Sequence, residues 1–288
     1  MTDDMKDAVV SMEKVGGRTL RVATWRLDSA NEYPPILFFN GIGANIEALA
    51  PFCEEMSERA FIMFDMPGIG ESPDPLVPYN PFTISWAASE LLTKLGVDQV
   101  DVMGISWGGG IAQHFAMQHP NRTRRVILIA TSAGMLMVPG SPKALSKMAN
   151  PRRYIDTEFM LKNFETLYGE GLGKMAGKKG HMSRLKPPSP RGYMYQLLCM
   201  LGWTSAPALP FLLKKETLIM MGDDDAIVPL INGKFLDFLI PNAELKILHG
   251  GGHLFLLSHR EESVTAIRDF LNAPDDEPDD EDVDAEAA

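Results

Sequence analysis

Cysteine is scarce in this chain. Cys53 and Cys199 lie far apart with no ligand cluster near them, which excludes a disulfide framework and a thiolate metal site. Both read as small buried hydrophobes. Positive charge is short as well, with 27 Lys and Arg against 38 Asp and Glu. No basic face is available for a phosphate backbone, so nucleic acid is not expected as a partner. The acidic excess is local: PDDEPDDEDVDAEAA carries nine acidic residues and no basic one, which leaves a body near −2. Residues 274–288 therefore read as a disordered, solubilising tail, with a specific docking segment as the alternative. Long apolar runs are missing too, and no transmembrane segment is expected. The opening MTDDMKDAVVSMEK is acidic and lacks the apolar stretch of a signal peptide, so the expected location is cytoplasmic.

What the chain does have is enough apolar content, 45% of 288 residues, for one large domain or for a core domain carrying an insertion. Short β-type runs recur: RTLRVATW at 18–25, ILFFN at 36–40, AFIMFD at 60–65, VDVMG at 100–104, RVILIA at 125–130, TLIMMG at 217–222 and ELKILH at 244–249. They are apolar enough to be buried on both faces. The later ones are separated by stretches of helical periodicity, FTISWAASELLTKLG, SWGGGIAQHFAMQHP and LSHREESVTAIRDFLN. That alternation predicts an α/β fold with a mostly parallel sheet and helices on both faces.

Between about 135 and 213 the alternation fails, and the segment reads as helices joined by loops rich in proline and glycine. The expected organisation is a core of residues 1–134 and 214–273 with a helical cap, 135–213, inserted over the sheet edge. The cap holds eight of the 18 methionines beside several aromatic residues. Methionine is flexible and polarizable, which suits varied apolar ligands. Met135, Met137 and Trp203 are the cap residues expected at a substrate; packing of the cap onto the body is the competing explanation.

Gly104, Ser106 and Gly108 spell G-x-S-x-G between a predicted strand and a predicted helix. A nucleophile on such a turn needs small residues two positions to either side, because strand and helix cross closely there. Gly109 and Gly110 relax the packing further. The helix beginning at Trp107 aims its free N–H groups toward any anion that forms at Ser106. A serine hydroxyl needs a histidine base and a carboxylate to orient that base, in the chain order Ser, acid, His. After TLIMMG the stretch GDDDAIVP offers Asp225, with Asp223 and Asp224 as competitors. Of the later histidines, His249 ends a strand, His253 follows three glycines and His259 lies on a charged helix. His253 is the expected base. The turn NGIG, residues 40–43, can place the Ile42 N–H beside that of Trp107 as an oxyanion hole, or can be a tight turn only.

These residues, with FDMPGIGES at 64–72, resemble the α/β-hydrolase superfamily over roughly 18–272. NGIGAN, GISWGG, MVPGSPK followed by NPRRY, LGWTS, GDDDAIVPLIN and GHLFLL are together similar to the intracellular depolymerases of medium-chain-length poly(3-hydroxyalkanoates). The resemblance implies the α/β-hydrolase fold, a structural role for Asp65, and Ser106, Asp225 and His253 as nucleophile, acid and base. Asn40 stands where many superfamily members have histidine, and the acidic tail lies outside the resemblance. Epoxide hydrolases and haloalkane dehalogenases carry Asp at the nucleophile position and polyhydroxyalkanoate synthases carry Cys, so Ser106 disfavours all three.

The expected reaction is hydrolysis of a hydrophobic polyester through an acyl-enzyme on Ser106, with no metal and no cofactor. Its expected partners are the ester substrate and the surface of the storage granule. A soluble carboxylesterase or lactonase is the alternative enzyme, and a ligand-binding protein on a hydrolase scaffold the alternative class.

Overall fold

The apolar runs form one sheet in the computed structural model, which describes residues 5, 7–28, 33–148, 150, 152–169 and 175–274. Its strands are β1 (Ala8–Val15), β2 (Arg18–Trp25), β3 (Ile36–Phe39), β4 (Phe61–Phe64), β5 (Val100–Ile105), β6 (Thr123–Ile129), β7 (Thr217–Gly222) and β8 (Ala243–Leu248), in the spatial order β1-β2-β4-β3-β5-β6-β7-β8. From β4 to β8 every pairing is parallel, while β1 and β2 run antiparallel to their neighbours.

The central strands β3, β4, β5 and β7 are buried on both faces, as strands covered by helices must be. Two strands depart from the sequence expectation. β8 alternates half-buried and exposed positions up to the buried Leu248 because it is an edge strand, and β1, at the other edge, escapes detection as an apolar run.

The helices are α1 (Ala50–Glu55), α2 (Pro81–Lys94), α3 (Trp107–Gln118), α4 (Pro142–Met148), α5 (Arg152–Ile155), α6 (Thr157–Tyr168), α7 (Met175–Arg184), α8 (Pro190–Cys199), α9 (Leu209–Leu212), α10 (Ile231–Leu239), α11 (Phe255–Ser258) and α12 (Arg260–Asn272). α2 starts at a reciprocal cap, in which Asn80 accepts from Thr83 N–H and the Thr83 hydroxyl accepts in return. Two apolar clusters make the core, one on each face of the sheet. Ile84, Leu91, Ile111, Phe115 and Leu236 place α2, α3 and α10 in the first. Phe52, Cys53, Phe255, Val264, Ile267 and Leu271 place α1, α11 and α12 in the second. Cys53 and Cys199 are both buried free thiols.

Helices α4 to α9 lie between β6 and β7, and a β-bridge, Gly134 to Thr204, pinches α4 to α8 together at their base. The contacts of this segment fall on the loops that follow strands. Gly43 N–H donates to Gln196 Oε1 at 2.8 Å, Ser189 N–H to the Gly68 carbonyl at 3.0 Å and Ser141 N–H to the Ala226 carbonyl at 2.8 Å. The segment thus covers the carboxyl ends of the strands rather than the sheet edge that its sequence suggests. The expected disordered tail falls outside the described residues except for Pro274, whose carbonyl accepts from Arg125.

Beneath this layer lies a buried charge network. Arg21 donates to Glu47 at 2.9 Å and to Asp65 at 3.1 Å, and Asp65 also accepts from the Ile46 N–H at 2.8 Å. Burial pushes the Glu47 carboxyl up, but hydrogen bonds from Arg21 and Asn45 outweigh it and hold the pKa at about 2.

Candidate active site

β5 ends at Ile105 and is followed by Ser106, whose φ of 55° and ψ of −121° fall in a region that side chains rarely adopt. Such a backbone costs on the order of 1–3 kcal/mol and persists only when its surroundings over-determine it. They do so here. Ser106 N–H donates to the Ile129 carbonyl at 2.8 Å, and the Ser106 carbonyl accepts from the Thr131 hydroxyl at 2.7 Å. The glycines are there for close approach: a Cβ at Gly104 would stand 2.4 Å from the Gly108 carbonyl oxygen, and one at Gly108 only 2.2 Å from that of Phe39.

The three residues expected to act together are assembled. His253 Nε2 lies 3.0 Å from Ser106 Oγ, and His253 Nδ1 lies 2.7 Å from Asp225 Oδ2. The other oxygen of Asp225 accepts from the N–H groups of Ile227 and Val228 at 2.8 and 3.0 Å, so the apolar turn AIVP fixes the carboxylate by its backbone. The competing residues go elsewhere. His249 pairs with Asp223 at 2.7 Å out in solvent, with the imidazole 85% exposed against 5% for His253. Asp224 is exposed, and His259 bonds to the neighbouring Ser258 hydroxyl.

The turn at Asn40–Gly43 sits against the nucleophile, since a Cβ at Gly41 would lie 3.8 Å from Ser106 Cβ. Asn40 builds that turn: its side-chain oxygen accepts from Gly41 N–H at 2.9 Å and its amide donates to the Asn45 carbonyl at 2.8 Å. Trp107 opens α3, where backbone N–H groups have no helical partner. Ile42 and Trp107 line one cavity with Ser106.

Two chambers meet at Ser106. The larger, about 450 Å³, is walled by Met135, Met137, Met148, Leu197, Met200 and Trp203, so the structure brings all three expected cap residues to it. Trp203 is braced by His114, which its indole N–H approaches at 3.3 Å. The smaller, about 70 Å³, is lined by Ile42, Arg153, Tyr168, His181 and His253 as well as Ser106. Among the described residues, no group of three or more His, Cys, Asp or Glu could hold a metal ion.

Sequence reasoning missed Gln196. From α8 its side-chain oxygen accepts from Gly43 N–H at 2.8 Å, and its carbonyl accepts from the Trp107 indole at 3.0 Å. One fully buried residue thus ties together the two loops of the expected oxyanion hole. Arg153 and His181 were missed as well: Arg153 stands in NPRRY, which carries the resemblance without marking a role for either arginine, and His181 stands in no pattern that marks it.

Comparison with known proteins agrees with this architecture. A family model described as alpha/beta hydrolase fold matches residues 34–260. The chain is 41% identical over 239 residues to the poly(3-hydroxyalkanoate) depolymerase of Ectopseudomonas oleovorans, covering 82% of this chain and 84% of that protein. It is 30% identical over 232 residues to the 2-hydroxymuconate semialdehyde hydrolase of Pseudomonas putida, covering 75% and 78%. In fold it is similar to an esterase from Exiguobacterium antarcticum, with a TM-score of 0.76 at 18% identity over 92% of this chain and all of that one.

Proposed function

The chain belongs to the alpha/beta hydrolase fold family, and from that premise we propose that it is a serine hydrolase cleaving the ester bonds of medium-chain-length poly(3-hydroxyalkanoate). The observation that carries this reading is the Asp225–His253–Ser106 relay opening onto a chamber walled by methionine, leucine and tryptophan. The 41% identical relative, a depolymerase of this kind of polyester, supports the substrate class.

In this mechanism Asp225 holds the His253 ring with Nε2 facing Ser106. His253 takes the Ser106 proton as Oγ attacks the ester carbonyl, and the Ile42 and Trp107 N–H groups receive the oxyanion. The proton passes to the departing alkoxide, and water activated by His253 then frees the acyl group. Residues 135–213 act as a cap on a core of 1–134 and 214–273, with Met135, Met137 and Trp203 against the alkyl side chains.

Among the described residues no helix is long and apolar enough to cross a membrane. The protein works in the cytoplasm at the storage granule, which it meets with the exposed apolar rim of the large chamber, Met135, Leu197 and Leu201. Acid release from emulsified medium-chain and short-chain polymer, beside a soluble aryl ester, tests the reading with wild type and Ser106→Ala. Polymer attack by wild type only, strongest on the medium-chain material, is the expected result; aryl-ester turnover without polymer attack would make it a small-molecule esterase. Leu201→Asp should weaken granule binding in a sedimentation assay, and unchanged binding would remove the rim from the account.

A further inference from the structure

The two chambers at Ser106 differ in chemistry. The large one is walled by apolar side chains and opens at the surface. The small one has a cation in its wall: Arg153, on α5, is 6% exposed, and its Nη2 lies 3.5 Å from the Ile42 carbonyl oxygen. The ring of Tyr193 sits 5.7 Å from the guanidinium carbon. The same chamber is lined by His181 of α7, 4% exposed, whose Nδ1 has no hydrogen-bond partner. Burial, and then the charge of Arg184, lower the His181 imidazole to about 4, so it is neutral and carries one N–H. A guanidinium is charged at every working pH, and its planar donors match a carboxylate.

Resting on the ester-hydrolase reading above, we propose that the small chamber is a subsite for a free carboxylate, with Arg153 as its cationic partner and His181 as a second donor. The preferred ester is then one whose leaving group ends in a carboxylate. In a chain of 3-hydroxyacyl units that group is the carboxyl-terminal unit, in which one methylene separates the oxygen-bearing carbon from the carboxylate. A reach that short suits a chamber of about 70 Å³, while alkyl groups occupy the larger one. Ser106 Oγ bonds to the ester carbonyl carbon and its proton moves to His253. The bond from that carbon to the terminal unit's oxygen breaks, and the proton passes from His253 to this oxygen. The terminal unit leaves as a 3-hydroxy acid with its charge unchanged. Water then frees the remaining chain with a new terminal carboxylate, which is the group the chamber recognises.

The test compares a 3-hydroxyoctanoate dimer as the free acid and as its methyl ester, with wild type, Arg153→Lys, Arg153→Gln and His181→Leu. For wild type the free acid should have the higher kcat/KM by about 10- to 100-fold, the scale of hydrogen bonds to a charged group. Arg153→Gln should bring that ratio close to one, mainly through KM, and Arg153→Lys should keep part of it. His181→Leu should reduce the ratio by less. A wild-type ratio of one or below would overturn the proposal. So would a parallel fall in kcat on both substrates with the ratio intact, since that is what Arg153 would do if it only held the Ile42 turn. Calorimetry with Ser106→Ala reads the subsite without turnover: tighter binding of 3-hydroxyoctanoate than of its methyl ester supports it, and equal binding overturns it. Selective binding in a wild type that cleaves no ester would sink the hydrolase reading and leave the subsite standing.

Discussion

His249 and His253 each hold an aspartate at 2.7 Å, yet only one of the two pairs can do chemistry. A pair in solvent contributes little to stability and nothing to a site it does not face. His249→Ala should therefore leave ester turnover at the wild-type rate. His253→Ala and Ser106→Ala should each cost at least about 1000-fold in kcat, and Asp225→Asn a comparable amount through the wrong imidazole tautomer. Steady-state rates on one aryl ester check all four, and a His249→Ala enzyme as slow as His253→Ala would break the assignment. These residues were legible because the chemistry demands particular side chains at local spacings: two glycines around Ser106, an apolar turn after Asp225, glycines before His253. Gln196 was not, because what it does depends on partners 153 and 89 positions away in the chain.

The elements are held where they cross. At Gly108 an added methyl would meet the backbone oxygens of Phe39 and Asn40, which no side-chain rotation relieves. Gly108→Ala should lower the thermal midpoint and abolish activity together, whereas Ser106→Ala should abolish activity with the midpoint little changed, because alanine keeps the same Cβ and the same backbone strain and loses only the hydroxyl. Calorimetry on both variants separates the effects. α8 acts on the site from a distance: Gln196→Leu removes the acceptor of Gly43 N–H and frees the turn that carries Ile42. A misplacement of about 1 Å at such a turn costs up to about 100-fold. The expected result is a fall in kcat with KM little changed; a rise in KM alone would show that α8 only shapes the substrate chamber. At this scale β2 to β8 could be read as strands from their apolar runs, while β1 could not, since AVVSMEKV lies at the sheet edge and mixes exposed and buried positions.

In the buried Arg21–Glu47–Asp65 network under the catalytic layer the two carboxylates respond to pH in opposite directions: burial raises Asp65 to about 6, which favours the fold as the pH falls, and Glu47 is held low. The folded pKa of Glu47 is depressed, so the stability it contributes is present above about 4.5 and is lost as the pH falls toward about 2. The full amount is about 3 kcal/mol for a shift of this size. Denaturant midpoints measured from pH 6 to pH 3 should fall more steeply for wild type than for Glu47→Gln, which starts lower; parallel curves would exclude Glu47 as a source of acid sensitivity. Strand and helix alternation made the α/β layers readable from composition and period alone. The placement of α4 to α9 over the carboxyl ends of the strands was not readable, because backbone contacts such as Ser189 with Gly68 and Ser141 with Ala226 fix it and leave no trace in hydropathy.

The bridge between Gly134 and Thr204 brings the two stems of the α4 to α8 excursion side by side before any of those helices begins, and leaves α9 outside it. Joining points that already touch make whatever lies beyond them exchangeable, since the length of the excursion alters closure only slowly. The length of the excursion is therefore free to vary wherever it does not carry a contact such as that of Gln196 with Gly43 and Trp107. The excursion is a cassette and the strained serine and its partners are the chassis, with Gln196 as the coupling between them.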